Sequence, residues 1–263
     1  LHSSKAHLGV PLLDLTQSNP TTSGLVFPAT LSGALDHPDV MFYEPAPRGL
    51  PVARQAVADY YAAKGGAVAS DDVILTCSSS EAYTNLFRLL TDPGDEVLVP
   101  RPGYPLFDDL AALESVVPVT YPAVYDQRWR IDTDALAAAV SARTRAIIAV
   151  NPNNPTGAWL TGEAWDAICS ICVTHNLVAI VDEVFADFAI DPPADSLATV
   201  AGQSPMPTFV ISGLSKVAAL PQMKLGWIAV CGPPMARGAA IDGLEVIADT
   251  FLSVSTPVQL ALP

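Results

Sequence analysis

The chain has 263 residues, half of them apolar and only 15% charged, which supplies the core of one large α/β domain or of a domain plus part of a second. Its formal charge of −14, with no basic stripe to neutralise phosphates, argues against nucleic-acid binding. No apolar run approaches the ~18–20 residues that a membrane helix needs. The opening LHSSKAHLGV is too polar for a secretory leader and lacks an initiator Met, so the chain reads as trimmed or as a fragment.

Short β-rich runs alternate with stretches of helical periodicity. Strands are expected at 73–76, 96–99, 116–121, 145–150, 177–181, 208–211 and 226–230. Helices are expected at 50–63, 80–91, 106–113, 133–140, 162–176 and within 235–252. Runs such as AIIAV, LVAIV and TFVIS are continuously apolar, as strands covered on both faces are. The expected fold is a doubly wound, mostly parallel seven-stranded α/β sheet, with its chemistry at the carboxyl ends of the strands. Cys169 and Cys172 lie three residues apart inside a helix with no second such pair, and read as small core-facing residues.

Five strand ends carry polar or Gly/Pro-rich signatures. The first leads into CSSSEAYTNLF, where Ser78 and Glu81 have capping-box spacing and Tyr83, Leu86, Phe87 and Leu90 follow at helical spacing. Such a helix start is either a plain cap or an anion site. The second leads into RPGYP. The fourth leads into NPNNPTG, Asn151 to Gly157, a rigid turn whose Asn154 could also offer its amide to a ligand. The next places Asp182 at the end of a buried run, where a carboxylate needs a cation or a hydrogen-bond donor. Glu183, on the opposite side of that strand, reads as structural or exposed. The sixth ends in GLSK. A lysine desolvated there has a lowered pKa and can act as a nucleophile, whereas a snorkelling lysine is the plainer alternative.

Taken together, these residues resemble the class I/II aminotransferases, the aspartate-aminotransferase-like enzymes of fold type I that depend on pyridoxal 5'-phosphate (PLP). The resemblance runs from LLDLTQSNPT to the end. It rests on NPNNPTG, on Asp182 placed 28 residues after Asn154, and on Ser-Lys placed 34 residues further on. It implies that Lys216 forms the imine with the cofactor and shuttles a proton, and that Asp182 pairs with the pyridine nitrogen; these two are the expected catalytic residues. It implies that Asn154 bonds the ring hydroxyl, that Tyr104 stacks on the ring, and that Ser79, Ser80 and Lys224 hold the phosphate. Tyr43, in YEPAPRGL, matches a tyrosine that reaches the phosphate of a neighbouring subunit, which implies a homodimer.

There are departures from the family pattern. Phe185 stands where many members carry a tyrosine that donates to the ring oxygen, which implies a more basic imine. Lys224 replaces the commoner arginine, a point charge in place of a fork. Gly213 replaces a frequent phosphate-binding serine, with Ser212 or Ser215 as candidates to compensate. None of the nine arginines falls where the family binds the substrate's α-carboxylate. Residues 1–45 are expected to be an N-terminal segment belonging to a small domain, with residues around Ser18–Asn19 bearing on specificity. Residues 46–263 are expected to be the PLP-binding large domain, with the C-terminal small domain absent. The implied activity is amino-group transfer between an amino acid and a 2-oxo acid; the alternative is a decarboxylase or β-lyase on the same fold. A cytoplasmic setting, no metal and neither nucleic-acid nor membrane partners complete the expectation.

Overall fold

The computed structural model describes residues 19–263, so Ser18 and the residues before it lie outside the described part. The chain divides into two compact units, residues 1–33 and 34–263. In the first, Asn19 caps a 3-10 turn at Pro20–Thr22 by accepting from the Thr21 amide at 3.0 Å.

The second unit is built on one mixed sheet. Its strands are β1 (Val73–Thr76), β2 (Glu96–Arg101), β3 (Val117–Asp126), β4 (Arg128–Ile131), β5 (Thr144–Val150), β6 (Val178–Asp182), β7 (Thr208–Gly213) and β8 (Gly226–Cys231). The order across the sheet is β1-β8-β7-β6-β5-β2-β3-β4. Neighbours from β7 across to β3 are parallel; β8 runs antiparallel to both β1 and β7, and β4 antiparallel to β3. The sheet therefore has eight strands, not the seven expected. β3 continues past Pro122, turns at Gln127 with φ +59°, and pairs its last four residues with β4. That short Arg-Trp-Arg-Ile run is exposed at both arginines and carries no apolar face of strand length.

The helices are α1 (Pro51–Ala63), α2 (Ser79–Leu90), α3 (Leu106–Leu113), α4 (Thr133–Ala138), α5 (Gly162–His175), α6 (Leu214–Val217), α7 (Pro234–Phe251) and α8 (Thr256–Leu260). Side-chain oxygens of Ser78, Asp132 and Thr161 accept from the first turns of α2, α4 and α5. Asn176, at φ +54°, closes α5 in the left-handed conformation that asparagine tolerates.

Successive residues of the central strands feed two separate cores. Ala179, Val181 and Val210 join Tyr61, Leu136, Ile168 and Cys172 on one face. Ile180, Phe209 and Ile211 join Leu86, Phe87, Phe107 and Leu244 on the other. Each large apolar side chain so buried contributes about 1.5–3 kcal/mol. An exposed pair such as Arg128–Asp195 contributes ~0–1 kcal/mol. The two covered faces, not surface charge, hold the sheet. Cys169 and Cys172 lie in the first core, as core-facing residues should.

This topology sets the site. β1, β2, β5, β6 and β7 all end on one edge of the sheet, and the reversed β8 begins there.

Candidate active site

On that edge one pocket is lined by Ser79, Tyr104, Asn154, Asp182, Phe185, Gly213, Ser215, Lys216 and Leu225, with Val150 and Val184. Five of the residues expected from sequence therefore meet: Ser79, Tyr104, Asn154, Asp182 and Lys216. Ser80 sits one residue along α2 and does not line the pocket. Lys224 precedes the lining Leu225; it is exposed and held in the left-handed region at φ +53°. Tyr43 is 82% exposed and lies outside the pocket.

Asp182 ends β6 and is buried. Its Oδ1 accepts from the Val184 amide and its Oδ2 from the Tyr83 hydroxyl, both at 3.0 Å. Burial pushes its carboxyl up to about 6, against the lowering effects of those two donors and of the nearby Lys216 charge. Glu183 points away from the site and is 1% exposed, so the structural reading of it holds and the exposed one does not. It accepts from the Val200 amide and the Thr199 hydroxyl, each at 2.7 Å, and burial pushes it up to about 7.

Lys216 lies in the single turn α6 that follows β7, half-buried, with its Nζ 5.7 Å from the centre of the Phe185 ring. Among the described residues neither Lys216 nor Lys224 has a carboxylate within ion-pair distance, whereas Lys64 pairs with Asp187 at 2.8 Å.

The NPNNPTG turn is both scaffold and lining. Asn151 is fully buried; its Nδ2 donates to Leu197 O and its Oδ1 accepts from the Leu160 amide, both at 2.9 Å. Asn153 Nδ2 donates to Pro102 O at 3.1 Å, tying this turn to the RPGYP loop that carries Tyr104. Arg101 grips both oxygens of Asp108, at 2.8 and 2.7 Å, across the same loop. With its neighbours so fixed, Asn154 is left to face the pocket.

The start of α2 is a true cap. Ser78 Oγ accepts from the Glu81 amide at 3.1 Å, while the Glu81 carboxylate turns back to the Cys77 amide. The amides of Ser79 and Ser80, the first two helical residues, have no acceptor within the helix. Gly226 passes beneath them: a Cβ there would lie 3.1 Å from Ser79 N and 3.0 Å from Ser78 C. Gly213, its partner across the β7–β8 ladder, has no room either, because a Cβ would come 2.9 Å from Gly226 Cα. A serine at position 213 is thus excluded by packing. Of the two candidates to compensate, Ser215 lines the pocket and Ser212 is buried in the strand.

Tyr83 was legible only as part of an apolar helical stripe, and its hydroxyl on Asp182 has no sequence signal. The amide of Val184 has none either. A larger pocket of about 560 Å³ lies between the β3–β4 hairpin and α5, lined among others by Trp129, Trp159 and Phe188. Its charged groups, Arg128, Arg130, Glu163 and Asp191, are all exposed, so the buried ionisable chemistry belongs to the smaller pocket.

The family comparison agrees with this geometry. The aminotransferase class I and II family matches residues 10–262. The chain is 34% identical over 218 residues to the glutamate-pyruvate aminotransferase AlaA of Haemophilus influenzae, covering 82% of this chain and 53% of that protein. It is 31% identical over 270 residues to the alanine aminotransferase of Mycobacterium tuberculosis, covering 100% of this chain and 62% of that one. The solved alanine aminotransferase from Pyrococcus furiosus superposes with a TM-score of 0.84 at 27% identity, over 99% of this chain and 66% of that one. The chain thus spans about half to two thirds of the length of these relatives. Enzymes of this family use pyridoxal 5'-phosphate. With its match extending over nearly every residue and its sheet of the same type, the chain belongs to the aminotransferase class I and II family.

Proposed function

We propose that residues 46–263 build the PLP site of an enzyme that transfers an amino group between an amino acid and a 2-oxo acid. The observation that carries this reading is the meeting of Lys216, Asp182, Asn154 and Tyr104 in one pocket at the N-terminus of α2. The names of the relatives, glutamate-pyruvate and alanine aminotransferases, support the substrate class.

The residues present fit the cofactor. Gly226 lets β8 pass in close contact beneath the first turn of α2, whose leading amides stay open to an anion. Asp182 is a buried carboxylate whose local donors do not fully offset its desolvation, and it borders the pocket. A protonated ring nitrogen is the partner such a group lacks. When bound, the cofactor supplies an aldehyde and a ring that accepts electrons from the substrate's α-carbon.

The chain's own groups then have distinct tasks. Asp182 holds a proton at the ring nitrogen. Asn154 would donate to the ring hydroxyl, and Tyr104 would cover the ring. The amides of Ser79 and Ser80, with the α2 dipole and Lys224, anchor the phosphate and fix the register of the reacting atoms. Lys216 Nζ would hold the aldehyde end of the cofactor, and as a free amine it would take the proton from the substrate's α-carbon. Phe185 presents a ring without a hydroxyl to this amine. Tyr43, exposed and away from the pocket, suits reaching a second copy of the chain in a homodimer. All four cysteines are free thiols, which supports a cytoplasmic setting. No helix among the described residues is long and apolar enough to cross a membrane.

The test is a half-reaction. The PLP-loaded chain is mixed with one equivalent of alanine or glutamate, without an acceptor. The reading predicts the matching 2-oxo acid and pyridoxamine phosphate in equal amounts. Carbon dioxide, or ammonia without pyridoxamine phosphate, would point to the decarboxylase or β-lyase alternative and contradict it.

A further inference from the structure

A buried tyrosine needs an acceptor for its hydroxyl. Two tyrosines of the core meet this need differently. Tyr121 donates to the backbone carbonyl of Ile148 at 2.8 Å, which is all that a packing residue requires. Tyr83, 1% exposed, donates instead to the Asp182 carboxylate at 3.0 Å, a bond strengthened by the acceptor's charge.

The Tyr83 ring is held by two aromatic neighbours. It packs edge-on against Phe107 at 5.3 Å and tilted against Phe87 at 6.1 Å. Phe107 in turn packs edge-on against Tyr104 at 5.8 Å. The residue that covers the ring and the donor to Asp182 therefore share one aromatic neighbour. Tyr83 also belongs to α2, whose first two amides are the phosphate anchor. One rigid helix thus carries both the phosphate end of the site and the group that orients Asp182.

We propose that Tyr83 is a positioning residue: by donating to Asp182 Oδ2 it fixes that carboxylate towards the pyridine nitrogen and holds it as the anion, so that the proton between them rests on the nitrogen. This rests on the cofactor reading above. The proton moves between two existing lone pairs, so no other reactant is needed. Burial and the Asp182 charge hold the phenol well above its ordinary range, and Tyr83 stays a donor. The Val184 amide occupies the other oxygen, Oδ1. Without the phenol, Asp182 would keep only that donor against its desolvation. The proton would then shift from the nitrogen to the carboxylate.

The test compares PLP with its 1-deaza analogue, in which the ring nitrogen is replaced by C–H, for the unaltered chain and for Tyr83→Phe. The unaltered chain should bind PLP more tightly than the analogue. Y83F should lose about tenfold in PLP affinity and less than about twofold for the analogue, the size of one charge-assisted hydrogen bond. The nitrogen-15 resonance of ring-labelled PLP should move towards that of unprotonated pyridine in Y83F. Equal losses for both ligands, or an unmoved resonance, would make Tyr83 a packing residue and overturn the proposal. Equal affinities in the unaltered chain would overturn the Asp182 reading itself, and the proposal with it. If Y83F does not fold, 3-fluorotyrosine placed at position 83 decides: as a stronger donor of nearly the same shape it should widen the discrimination, and no change would count against the proposal.

Discussion

The amide of Asn151 donates to the carbonyl oxygen of Asp182 at 2.8 Å, tying the end of β5 to the end of β6. This bond sets the spacing between the turn that carries Asn154 and the carboxylate at the floor of the pocket. The neighbouring asparagines divide the work: Asn151 and Asn153 fasten the turn, and Asn154 faces the pocket.

That division is testable by stability. Asn151→Ala leaves the Leu160 amide and the Leu197 carbonyl without their partners. Its unfolding free energy should fall by about 2–4 kcal/mol, read from urea denaturation. Asn154→Ala should unfold within about 0.5 kcal/mol of the unaltered chain and lose PLP affinity instead. Equal destabilisation by the two changes would contradict the division.

The glycines of the β7–β8 ladder give a second test. A methyl group on Gly226 would press on the backbone of Ser78, Ser79 and Ser212, none of which can rotate away as a side chain could. Gly226→Ala should cost about 1–3 kcal/mol and weaken PLP binding together with stability. Gly238→Ala, at a helical position with open space, should raise stability by about 0.5–1 kcal/mol and leave PLP binding unchanged.

The two buried acids predict a pH dependence of the cofactor-free chain. Asp182 and Glu183 are held at about 6 and about 7, above ordinary values of 3.8 and 4.5. Between those limits the folded chain keeps protons that the unfolded chain has released. Stability from these groups is present below about pH 4 and is lost as the pH rises through 6 and 7, on the order of 2–3 kcal/mol per group. The urea midpoint should fall between about pH 4 and 7, and Asp182→Asn should remove part of that slope. A midpoint that rises over this window would contradict it.

Lys224 can be tested against a ligand without phosphate. Lys224→Ala should weaken PLP about tenfold and leave pyridoxal nearly unchanged, with Lys224→Arg retaining PLP binding. Equal effects on PLP and pyridoxal would remove Lys224 from the phosphate site.

Much of this was legible in the sequence because strong local signals coincide with the site. Continuous apolar runs mark β5, β6 and β7, and the residues after them are the pocket. The β3–β4 hairpin was not legible: Pro122 looked like a strand end, and β4 owes its form to pairing rather than to an apolar face. The role of Tyr83 was hidden for a related reason. At helical spacing a tyrosine and a leucine read alike, and only the tertiary fold brings its hydroxyl to a carboxylate 99 residues away. Glu183 shows the same limit, since its burial depends on Thr199 and Val200 closing over it.

The central claim is that Lys216 is the amine that holds the cofactor. PLP is added to the purified chain, its visible absorption recorded, the adduct reduced with borohydride and the labelled peptide identified by mass spectrometry. The account predicts a reducible absorption band, the label on Lys216, and neither in Lys216→Ala. A label on another lysine, or an undiminished band in Lys216→Ala, would contradict it.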